Sequence, residues 1–186
     1  MSAHTDARPA RDDPDTVAAA LGRVRAVLER RPDMGLHDDA PVTARWNGGT
    51  RVTASHANGT TMVTDMPAEL GGGGATVTPG WLFRAGTASC AATSIALAAA
   101  ARGIVLAKLE VRVSSRSDTR GLLGMPGEDG APVHAGPFDL RLAIAIDAPG
   151  VDAATLRALV DQGCRCSPIP SAVSTATPFT LDVTVG

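Results

Sequence analysis

"TPGWLFRAGTASCAATSIALAAAARG", Thr78 to Gly103, is the stretch on which the fold turns. Thr78 is a good N-cap, Pro79 suits the first helical position, and Gly103 suits the residue just past a helix end. Between them run alanine, serine, threonine and glycine, so the spacing predicts a long helix that allows close packing. The apolar part, Ala85 to Ala101, is 17 residues long and too weakly apolar for a bilayer core of about 30 Å, so a buried helix of a soluble protein is expected. Cys90 sits in its middle. It is either a small buried filler or a presented thiol, and the helix alone does not decide which.

Composition bounds the rest. The chain has 186 residues, a net charge of −2, 44% hydrophobic residues and 3% aromatics with no tyrosine, which predicts one soluble domain with an aliphatic core. Near-neutral charge and scarce aromatics argue against nucleic-acid binding. Three cysteines and a polar start, "MSAHTDARPARDDP", fit free thiols in a reducing cytoplasm.

Working outward from the helix, "PVTARW", "TRVTASH" and "TTMVTD" alternate β-branched and other residues around Asn-Gly turns. They predict an antiparallel meander over about residues 41–65. "GGGG" at 71–74 lacks the Lys-Ser/Thr of a phosphate loop and is expected to be a flexible connector. Upstream, Val17, Leu21, Val24 and Leu28 form one helical stripe over 15–31, while residues 1–14 are expected to be disordered. After the long helix come a strand in "IVLAKLEVRVSS", a Gly/Pro-rich loop, a strand in "DLRLAIAID" and a helix capped by Asp152. "SPIPSAVST" adds a helical turn or two, and "FTLDVTV" is expected to close as a strand. The order is α+β. Residues 1–40 read as a tail with an extra amphipathic helix, and 41–186 as the main domain.

In this order, the meander, "PAELGGGGATVTPGWLFRAGTASC", the long helix, "DTRGLLG" and "CSPIPSAV" together resemble the OsmC/Ohr family of osmotically inducible and organic-hydroperoxide-resistance proteins. The resemblance covers about residues 41–186. It implies antiparallel sheets packed on a central buried helix in an intertwined homodimer, with sites at the interface. It also implies reduction of hydroperoxides by a reactive cysteine, regenerated by a second cysteine and an external thiol reductant. No cofactor, metal, nucleic acid or membrane is implied. By the resemblance Cys90 is the peroxidatic residue. Cys166 or Cys164 is the resolving thiol, although Ser167 fills the usual cysteine slot. Arg51, with Arg45 as the other choice, is the arginine that activates the thiol.

Two departures favour a rival reading, a repurposed relative whose interface pocket binds or transforms another small molecule. Gly80 stands where the family carries an arginine-orienting glutamate, and Glu69 has no evident reason to replace it. Ser167 is the second departure. Arg84, six residues before Cys90, lies about 120° away around a helix and cannot readily serve the same thiol. Cys164 and Cys166 with scattered histidines do not make a four-ligand zinc site. His134 or His56 would complete a nucleophilic set only if something oriented the ring, and nothing in the sequence does.

Overall fold

Why the long helix holds the fold together is clear from what packs on it. The computed structural model describes residues 14–186; the disorder expected of the first residues falls almost wholly outside them. The chain runs α1 (Pro14–Arg30), β1 (Thr43–Trp46), β2 (Val52–Ser55), β3 (Thr61–Thr64), α2 (Pro79–Ala100), β4 (Lys108–Arg116), α3 (Thr119–Leu122), β5 (Phe138–Asp147), α4 (Ala153–Arg165) and α5 (Pro168–Ser174). It is α+β with two antiparallel sheets, β1-β2-β3 and β4-β5.

Helix α2 starts where its cap predicts: the Trp81 amide donates to Thr78 Oγ1 at 3.2 Å, and Pro79 opens the first turn. It stops at Gly103, whose φ of +66° only glycine adopts cheaply, and the Ile104 amide bonds back to the Ala99 carbonyl. At 22 residues α2 is longer than its apolar centre suggested, and by length and composition alone it would reach across a bilayer. Here β4, α4, α5 and α1 pack against it.

The core lies between the end of α2 and α4. Ala99, Ala148, Leu156 and Leu159 are buried together, with Ile104, Leu106 and Ile146 packed around them. Asp152 caps α4 by accepting from the Ala154 and Thr155 amides, both at 2.9 Å. Strand β4 alternates exposed and half-buried residues along its length, as a strand with one covered face must. It pairs with β5 from Lys108↔Asp147 to Arg116↔Phe138, with a bulge between Ser114 and Arg116. The Asn-Gly turns fall where expected, with Gly48, Gly49 and Gly59 all at positive φ.

Two expectations are corrected. Residues 71–74 form a pinned loop rather than a flexible connector. Asp65, 5% exposed, accepts from the Gly73 amide at 3.0 Å, the Met66 amide at 2.8 Å and the Thr50 hydroxyl at 2.5 Å. One carboxylate thus ties the glycine loop to the meander. The second correction is "FTLDVTV": residues 175–186 carry no strand. Phe179, Leu181, Val183 and Val185 are 72–89% exposed, and among the described residues no strand edge pairs with them to complete a ladder.

The Thr50 hydroxyl first, then the Gly73 and Met66 amides, hold the Asp65 carboxyl below its usual 3.8, with a smaller contribution from the Arg51 charge. Its folded value is lowered, so its stabilisation is present above the unfolded value and fades as pH falls through the folded one. Asp65→Asn is therefore expected to lower the melting temperature near neutrality. The gap to the parent should close in melts taken progressively below pH 3.8.

Candidate functional site

Cys90 lies on the face of α2 that meets α5, half-buried. Two donors converge on its sulfur: the Ser167 hydroxyl at 3.2 Å and the Ile169 amide at 3.4 Å. Ser167 is completely buried. Its place follows from local sequence. Helix α4 ends at Arg165, Pro168 cannot continue it, and Pro168 instead opens α5. Ser167 is the joint, its amide bonded to the Cys164 carbonyl and its carbonyl receiving the Ser171 amide. Ile169 packs over Gly86 of α2, its Cδ1 at ordinary contact distance, 3.5 Å, from where a Cβ on that glycine would stand.

The joint is held from the other side by Gly163. A Cβ on it would lie 2.6 Å from Ile95 Cγ1 and 2.7 Å from Ile95 Cα, so the end of α4 presses directly on the α2 backbone. The Arg102 guanidinium also donates to Gln162 across the same contact.

Among the described residues, neither of the other two thiols bonds to the Cys90 sulfur. Cys164 is half-buried, and its thiol is pushed up by burial first and by the nearby Asp161 charge second. Cys166 is exposed and lines a cavity of about 560 Å³ between α1, α2 and α4, with Leu21, Val24, Leu28 and Leu97. All three cysteines are free. The structure therefore brings the Ser167 hydroxyl against Cys90, and neither Cys164 nor Cys166 is bonded to its sulfur.

Arg51 is exposed at the end of the first hairpin, where its carbonyl and amide close the turn with Asn47 and Gly48 and its charge acts on Asp65. Arg45 is exposed on β1 opposite Thr53. Glu69 is exposed in a single 3-10 turn. His56 sits in a turn, accepting from the Asn58 amide, and the backbone of His134 packs against Gly121 in the long loop. Among the described residues no three His, Cys, Asp or Glu side chains gather as a metal site.

Gly80 opens onto a second feature. The Arg84 guanidinium lies 3.8 Å from where a Cβ on Gly80 would stand, and it reaches Ser115 Oγ at 3.5 Å. Gly80 and Arg84 both border a cavity of about 390 Å³ walled by Met66, Leu70, Phe83 and Leu122. Arg84 thus fills part of the space that a longer side chain at position 80 would take. Sequence reasoning did not find the Ile169 amide. The signal present was the Ser-Pro pair, which places a buried hydroxyl and a free amide at one helix joint.

These observations meet the comparisons with known proteins. No curated protein matches. Among solved structures, an OsmC-like protein from Mycoplasma pneumoniae superposes with a TM-score of 0.62 at 19% identity, covering 76% of this chain and 91% of that one. An organic hydroperoxide resistance protein OsmC from Legionella pneumophila gives 0.53 at 23%, covering 74% and 91%. An organic hydroperoxide resistance protein from Elizabethkingia anophelis, with thiocyanate bound, gives 0.54 at 19%, covering 76% and 93%. At these identities the likeness establishes the fold. A family model described as OsmC-like protein matches residues 71–182, which hold α2, Cys90 and the Ser167 joint, and so the chain belongs to the OsmC-like protein family.

Proposed function

We propose that this protein is a cytoplasmic homodimer that reduces hydroperoxides through Cys90. The observation that carries the reading is the convergence of the Ser167 hydroxyl and the Ile169 amide on a half-buried thiol. A filler cysteine needs no donors; a sulfur that attacks a peroxide, and then carries an oxygen, is served by both. Family membership and structural neighbours concerned with organic hydroperoxide resistance support the same direction.

The dimer is supported by the unpaired C-terminal segment. Its residues alternate as a strand does, its apolar side chains are exposed, and β1 is an exposed edge. A second copy would offer the missing ladder. It would also offer a route for Arg51 to reach a thiol, its own chain's Cys90 having other partners. Light scattering across micromolar concentrations is expected to give a dimer mass, and a monomer mass throughout would refute this part.

A second reading, a relative turned to another small molecule, is favoured by one observation. Gly80 supplies no carboxylate, and Arg84 occupies the space beside it on an apolar cavity. Turnover separates the two readings. Consumption of cumene hydroperoxide with dithiothreitol as reductant, beyond the rate with dithiothreitol alone, is expected; no increment would favour the second reading.

A further inference from the structure

The strongest unexplained feature is a serine where a second thiol would be expected. We infer that Cys90 turns over without a resolving cysteine, its oxidised form being attacked directly by an external thiol, with Ser167 as the residue that imposes this course. The inference rests on the peroxidase reading above.

Three observations carry it. Ser167 Oγ, fully buried, takes the contact position 3.2 Å from the Cys90 sulfur that a resolving sulfur would need. Cys166 lies in the separate cavity beside α1. To replace Ser167, Cys166 would have to unwind the joint, breaking the bonds from the Cys166 amide to the Gln162 carbonyl and from the Ser167 amide to the Cys164 carbonyl. The third observation is Gly163, which lies directly on the Ile95 backbone, so the end of α4 is already in close contact with α2 and has no room to move nearer to it. A disulfide tolerates Cα atoms no more than about 7 Å apart and a narrow torsion range, so a near miss is not enough.

The chemistry then runs in three balanced steps. The Cys90 thiol loses its proton and the thiolate attacks the terminal peroxide oxygen; the O–O bond breaks, the hydroxyl stays on sulfur as the sulfenic acid, and the alkoxide takes up a proton equal to the one the thiol gave up and leaves as the alcohol. An external thiol attacks the Cys90 sulfur; an S–S bond forms, the S–O bond breaks, and the oxygen departs as water with the thiol's proton. A second thiol attacks the mixed disulfide, releasing the reduced Cys90 and an oxidised external disulfide. One hydroperoxide and two thiols give one alcohol, one water and one disulfide. Through these steps Ser167 and the Ile169 amide donate to the sulfur or to the oxygen it carries. Ser167 is a positioning residue that cannot itself close a disulfide.

The test uses the full chain with one equivalent of cumene hydroperoxide and intact-mass and peptide analysis. The parent, Cys166→Ser, and Cys164→Ser/Cys166→Ser should each gain one oxygen at Cys90, trapped by dimedone. Each should form a Cys90 mixed disulfide when 2-mercaptoethanol follows. Turnover with that monothiol should stay within about twofold of the parent in both variants. Ser167→Cys should instead close a disulfide between Cys90 and the introduced thiol, and should stop forming the dimedone adduct. A Cys90–Cys166 or Cys90–Cys164 disulfide in the parent would overturn the inference while leaving the peroxidase reading intact. Should the double variant fold poorly, the parent's peptide map and the single variant decide the matter. Hydroperoxide that leaves Cys90 reduced in every protein would overturn the peroxidase reading, and this inference with it.

Discussion

Cys90→Ser is expected to abolish thiol-dependent hydroperoxide consumption, a loss on the order of 10³-fold or more, with the fold unchanged. Chemistry and packing respond differently to this exchange. Serine is nearly the size of cysteine, and its oxygen can still accept from Ser167 and Ile169, so the α2–α5 contact should survive. A hydroxyl, however, neither attacks a peroxide at useful rates nor carries sulfenic oxygen. A coupled assay reads the first half of the prediction and a thermal melt the second. Turnover retained in Cys90→Ser would assign the activity to another thiol. A melt shifted by many degrees would make Cys90 chiefly a packing residue.

Gly163→Ala is expected to destabilise the contact between α2 and α4 at the core. On helix propensity alone, alanine should gain about 1 kcal/mol over glycine in a helix. The structure reverses that sign. The added methyl would sit 2.6 Å from Ile95 Cγ1, 2.7 Å from Ile95 Cα and 2.9 Å from Ile95 N, and two of those atoms are backbone. Helices α2 and α4 would have to separate at the core, at a cost of about 1–3 kcal/mol or more. Denaturant unfolding should show a lower midpoint. Adding Ile95→Ala should recover only part of the loss, since trimming Cγ1 leaves the Cα and N clashes in place. Because the Ser167 joint lies just beyond Gly163, the same variant should also alter the alkylation rate of Cys90. A Gly163→Ala protein as stable as the parent would mean that α2 and α4 are less tightly apposed in solution than these distances require.

What the sequence made legible was local. Thr78-Pro79 and Gly103 marked the ends of α2, the Asn-Gly pairs marked the hairpins, and the small-residue run marked the element on which others pack, because each depends only on near neighbours along the chain. Cys90 was legible as a candidate from the same stretch. What was hidden depends on distant partners. Asp65 anchors the glycine loop through contacts with Thr50 and Gly73, which no period or turn motif announces. The C-terminal run has strand periodicity without a strand, since periodicity shows which residues share a face and not whether another edge is at hand. The orientation of Cys166 against Ser167 was hidden for a finer reason. One step at a helix end turns a side chain by about 100°, while helix ends read from sequence are uncertain by a residue or two. Arg51, read as the activating cation, has its charge near Asp65 within the chain, a neighbour that the sequence did not announce.

The central claim is that Cys90 is a thiol made to react with hydroperoxides, and single-turnover oxidation of Cys164→Ser/Cys166→Ser, in which it is the only sulfhydryl, tests it most directly. Under pseudo-first-order cumene hydroperoxide near neutral pH, the account predicts loss of the Cys90 thiol at least about tenfold faster in the folded protein than in the same protein unfolded in urea. It also predicts that Ser167→Ala in that background slows the folded rate by about tenfold or more, the scale on which a placed donor acts. Equal rates in the folded and unfolded protein would contradict the account, leaving Cys90 an ordinary half-buried thiol on a small-residue helix.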